Sequence, residues 1–102
     1  QGGVLRDRSH LADEGVVVVT VGIDHRNGEI VFGPDLDSHG VMDDPSAILE
    51  KTADAVRVAI ESHDSGRTDH TEMQKTVRQA AGKVIRAETA RRPVILPIIM
   101  EV

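Results

Sequence analysis

The sequence predicts an α/β (α+β) domain: a three-stranded sheet packed against two helices, in the order β-β-α-α-β. Three observations carry this reading. Residues 16–19 are four consecutive valines, and Thr20, Val21 and Ile23 extend them into a β-branched run of strand length. Asn27-Gly28 follows it, the strongest short-range hairpin signal, because both residues tolerate positive φ. Two stretches of helical apolar spacing then lead to a last apolar segment, residues 94–102.

Residues 1–15 are polar, with Leu5 and Leu11 as isolated apolar anchors. They are expected to form an incoming linker, with one short strand around residues 4–6, ahead of a single C-terminal domain over residues 16–102. The strand at 16–23 pairs as a hairpin with residues 29–32, and Gly33-Pro34 ends or bulges that second strand. Residues 35–44 read as loop. Asp44 before Pro45 starts a helix, since a carboxylate caps free N–H groups and Pro loses nothing at the first helical position. Ile48, Leu49, Thr52, Ala53, Val56, Ala59 and Ile60 fall on one stripe of that helix. Residues 62–69, with Gly66, break it. A second helix begins near Asp69 or Thr71 and buries Met73, Val77, Ala80, Ala81, Val84 and Ile85. It ends near Ala90, where Arg91-Arg92 suit a helix C-terminus and Pro93 stops it. Pro97 lacks a ladder donor, so the last strand belongs at a sheet edge.

A chain of 102 residues supports one modest core, and Phe32 is its only aromatic residue, so that core is aliphatic. Cysteine is absent, which excludes disulfides, Cys-ligated zinc and thiol catalysis within these residues and fits a cytoplasmic location. No apolar run has the length of a membrane span, and no signal peptide opens the chain. Gln1 in place of Met, followed by Gly2 and Gly3, is what a cut inside a longer chain would leave. Charge is segregated. Residues 1–66 hold five Lys/Arg against thirteen Asp/Glu, and residues 67–92 hold seven against three.

A helix pair covers one face of a three-stranded sheet, yet the first and last strands are apolar on both faces. The uncovered side amounts to several hundred Å², roughly at or above what a monomer exposes. A second copy of the chain, or another domain of the same protein, is the expected cover, giving a homodimer or an internal docking contact. Val16, Val18, Ile95, Ile98 and Ile99 are the candidate interface residues.

Candidate chemistry is sparse. Asp35, Asp37 and His39 alternate, so an extended backbone would place two carboxylates and an imidazole on one face, a weak divalent-cation pattern built from ordinary loop formers. There is no nucleophile elbow and no Gly-rich phosphate cradle, so no catalytic and no cofactor-binding residue is assigned. Lys75, Arg78, Lys83, Arg86, Arg91 and Arg92 lie on or just after the second helix. They are either a solvated face or an auxiliary RNA-binding surface that contacts phosphates without reading bases.

Leu5-Arg6-Asp7-Arg8, His10-Leu11-Ala12 and Asp13-Glu14-Gly15, running into the valines, resemble the start of the C-terminal domain of bacterial ribonuclease J. Gly33-Pro34-Asp35 and Ser38 with Gly40 resemble the loop after that family's hairpin, and Arg91-Arg92-Pro93 through Glu101-Val102 is similar to its terminal signature. The resemblance implies a metallo-β-lactamase/β-CASP parent that uses zinc to cleave RNA, endonucleolytically and from the 5′ end. Its metal ligands belong to an HxHxDH-type motif of the lactamase domain, and that motif is absent here, so no catalytic residue carries over. For this domain the resemblance implies the same sheet-and-helix fold and a non-catalytic role in dimer assembly. Leu36-Asp37, His39 and Val41-Met42 depart from the pattern common in that loop.

Overall fold

A computed structural model describes residues 15–40, 45–62 and 70–102. Its elements follow the expected order: β1 (Val16–Ile23), β2 (Ile30–His39), α1 (Ser46–Ser62), α2 (His70–Thr89) and β3 (Val94–Glu101). The expected strand at 4–6, the Asp44 cap and the break between the helices lie outside the described residues.

The sheet order is β2-β1-β3, with β1 antiparallel to β2 and parallel to β3. The valine-rich strand takes the centre because it can donate and accept along both edges. β3 carries Pro97 and sits at an edge, as that residue requires. Val17, Val19 and Val21 are fully buried and Ile23 nearly so. Ile95, Pro97 and Ile99 of β3 and Leu36 and Ser38 of β2 stand level with them and share the helix-facing side.

α1 lies over β2 and α2 over β3. Each helix presents a stripe of every fourth residue: Thr52, Val56 and Ile60 on α1, and Met73, Val77, Ala81 and Ile85 on α2. Thr52 is the one buried polar side chain described, and its hydroxyl donates to the Ile48 carbonyl at 2.7 Å. Lys51 and Glu88 join the helices across their outer sides at 3.0 Å.

The hairpin closes differently from the two-residue turn that Asn27-Gly28 suggests. Asp24 N–H donates to the Glu29 carbonyl at 2.8 Å and Gly28 N–H to the Asp24 carbonyl at 2.8 Å, which makes residues 25–28 a four-residue turn. Gly28 alone takes positive φ in it, at 75°. The Asp24 carboxylate accepts from the Arg26 backbone at 2.8 Å and from its guanidinium at 3.1 Å. The Arg26 side-chain bond, then the backbone bond, holds the Asp24 carboxyl below its ordinary value.

The predicted loop at 35–44 is a further departure, since β2 remains paired as far as His39. Gly33 and Pro34 together stand opposite Val21, between the Thr20–Asp35 and Gly22–Phe32 pairs, so this dipeptide bulges the strand and the ladder resumes beyond it. Gly33 has φ 81°, and a Cβ there would lie 2.6 Å from the Thr20 carbonyl oxygen. Asp35 and Asp37 are compatible with strand because β2 is an edge and their side chains face water.

α2 ends where predicted. Ala90 takes φ 61°, the left-handed capping conformation, and its N–H donates to the Arg86 carbonyl at 2.9 Å. Alanine pays about 1–2 kcal/mol for that conformation. Ala90→Gly is therefore expected to raise stability by about 1 kcal/mol, seen as a higher urea midpoint with an unchanged slope. Ile85→Ala, which empties part of the aliphatic core, is expected to lower it by about 3 kcal/mol in the same assay.

Candidate assembly face and cationic groove

The helices leave one side of the sheet open. On β1 that side carries Val16, Val18, Thr20 and Gly22, and the register places Val94, Leu96, Ile98 and Met100 of β3 beside them. Leu96, Ile98 and Met100 are 46%, 46% and 49% exposed, a row of half-wetted large apolar side chains at every second position. Of the predicted interface residues, Val16, Val18 and Ile98 lie on this side. Ile95 and Ile99 do not: Ile95 belongs to the core and Ile99 packs against it, beneath the helices. The pleat alternates side chains, so Ile98 cannot share a face with either. Val94, Leu96, Met100 and Phe32 are large apolar members of this face that the predicted set omits.

β2 supplies a polar margin to the same side. Asp35, Asp37 and His39 pair with Thr20, Val18 and Val16, so their alternation does align them on one face. His39 Nε2 lies 3.1 Å from an Asp37 carboxylate oxygen, and both side chains are well exposed. Among the described residues no three His, Cys, Asp or Glu side chains converge to hold a cation.

Phe32 joins this face through the bulge. Without the bulge, an even-numbered residue would point opposite to Asp35 and Asp37; the extra residue restores it to their side. Its ring covers Gly22, where a Cβ would come within 2.1 Å of it. Gly22 is buried for that reason, although its own side of the sheet is open.

The second feature is a groove of about 710 Å³ between α2 and the start of β3. Arg78, Lys83 and Arg86 reach it from the helix and Arg92 from the connection, over a wall of Pro93, Val94 and Ile95. Lys75 and Arg91, expected with them, do not line it. Among the described residues Arg26, Lys51 and Arg57 each hold a carboxylate, whereas Arg78, Lys83 and Arg86 enter no ion pair.

The described residues thus form a two-layer β-β-α-α-β module with one open sheet face and one cationic groove. The chain belongs to the Ribonuclease J C-terminal domain family, whose profile it matches over residues 3–102. It is 32% identical to Ribonuclease J 2 of Staphylococcus saprophyticus and 31% identical to the proteins of that name from Staphylococcus epidermidis and Staphylococcus aureus. Each comparison covers 97% of this chain and 18% of the relative, so the chain spans less than a fifth of their length. Among the described residues no helix is long and apolar enough to cross a membrane.

The Gly22–Phe32 contact is testable by a double-mutant cycle. Gly22→Val and Phe32→Ala are each expected to destabilise the domain by about 1–2 kcal/mol, and the pair by clearly less than the sum, because both remove one contact. Additive losses in urea titrations would mean that the ring does not rest on Gly22.

Proposed function

We propose that this chain is a non-catalytic assembly module of a ribonuclease J-type RNA-degrading enzyme, pairing two copies through the open sheet face in support of exo- and endonucleolytic cleavage. The single observation that supports it is the exposed row Leu96, Ile98 and Met100 beside Val16 and Val18. In this reading the zinc chemistry belongs to other parts of the enzyme.

A second copy is the preferred occupant on two grounds. Edge-to-edge strand pairing is poorly served, because β3 contains Pro97 and β2 is bulged. Face-to-face stacking of two twisted sheets buries such rows by interdigitation. Three strands paired over about eight residues present a face of roughly 14 by 26 Å, on the order of 400 Å² per copy. That is about half of a standard interface side, so the expected dimer dissociates on dilution.

Light scattering over a dilution series is expected to show the mass fall from dimer to monomer, and Ile98→Lys or Val18→Lys to move the midpoint to at least about tenfold higher concentration while helical circular dichroism is retained. Val58→Lys, on the exposed side of α1, serves as the control and leaves the midpoint in place. If both sheet-face variants associate like the parent chain, the face is not the interface. A monomer at every concentration would assign the cover to another domain of the enzyme.

A further inference from the structure

We propose that the groove between α2 and the start of β3 binds the phosphate backbone of single-stranded RNA without reading its bases. The choice of RNA rests on the reading of the chain as part of an RNA-degrading enzyme; the site itself rests on the groove. Arg78, Gly82 and Arg86 follow one another at four-residue steps, so the two arginines leave the helix about 12 Å apart along its axis, with Gly82 as a gap between them. Lys83 flanks that line and Arg92 faces it from the connection to β3. A row of cations along an open trough suits a ligand that repeats its negative charge at intervals.

Gly82 is the second observation. A glycine inside a helix costs about 0.5–1 kcal/mol relative to alanine. No packing demands it here, since a Cβ at Gly82 would meet nothing within 4 Å. What the missing side chain does is keep the trough open between the two arginines. The half-buried Pro93 and Val94 of the apolar wall can lie against sugars. No aromatic side chain lines the groove, because the only one in the chain, Phe32, is on the far side of the sheet. Base stacking is thus absent, and binding is weak, indifferent to sequence and governed by salt.

The test is fluorescence anisotropy of the full chain with a labelled twelve-nucleotide oligouridylate. The logarithm of affinity is expected to fall with the logarithm of salt with a slope of about −2 to −3, from ~0.7 per phosphate neutralised by three or four cations. Arg86→Glu is expected to weaken binding about tenfold, and Lys75→Glu, the same charge change on the same helix outside the groove, less than about twofold. Gly82→Leu should weaken binding about as much as Arg86→Glu without lowering the thermal midpoint, since it fills the trough and favours the helix. Equal losses from Arg86→Glu and Lys75→Glu, undiminished binding by Gly82→Leu, or no binding at low salt would each overturn the site. A glutamate dodecapeptide that binds as tightly as the RNA would overturn RNA as the ligand. Light scattering on the same variants separates this outcome from assembly, because Arg86→Glu should leave the dimer midpoint where it was.

Discussion

The constraint on which the rest depends is the demand of β1 for partners on both edges and cover on one face. Its backbone groups need neighbours on either side, which β2 and β3 provide, and Val17, Val19, Val21 and Ile23 need a dry layer above them, which the helices provide. Two helices side by side are as wide as three strands, so this layer is used up on one face. The apolar residues Val16, Val18, Leu96, Ile98 and Met100 on the other face have no counterpart within the described chain. Among the described residues, one sheet and one helix layer leave that face without a partner.

Much of this architecture was legible in the sequence. The every-fourth-residue stripes of both helices named their buried sides, and Pro97 named an edge. The assignment of faces was harder, because in a strand apolar on both sides hydrophobicity does not distinguish in from out. Ile95, Ile98 and Ile99 look alike in composition, and only the period of two, applied strictly, separates the first and last from the middle one. Phe32 was obscured for another reason. The Gly33-Pro34 bulge reverses the parity of β2, so counting along the strand puts the ring on the wrong side. The groove was half visible: Arg78, Gly82 and Arg86 form a readable helical row, but the wall from Pro93 to Ile95 depends on tertiary apposition that no local pattern carries.

The two surfaces meet at β3, where Val94 borders both. Leu96, Ile98 and Met100 form its open-face row, whereas Val94 and Ile95 near its start border the groove. The charge asymmetry of the sequence thereby acquires a location. Acidic side chains Asp35 and Asp37 edge the open face on β2, while Arg78, Lys83 and Arg86 gather beyond β3 at the opposite margin of the sheet. The negative and positive margins of the sheet are thus on opposite edges, with the aliphatic face between them.

The parallel pairing of β1 with β3 also shapes how the chain reaches this state. Ile23 meets Ile30 across a short turn, but it meets Glu101 only after both helices have intervened. Closing the longer span costs about 2 kcal/mol more chain entropy than closing the hairpin, less whatever the helices save by shortening it. The central strand therefore acquires its two neighbours at different times. Until β3 arrives, an aliphatic strand stands with one edge unpaired and its second face wet, the condition that favours mispairing between chains. Pairing with β3 closes that second edge of β1, and the face that carries Val16 and Val18 stays open in the folded domain.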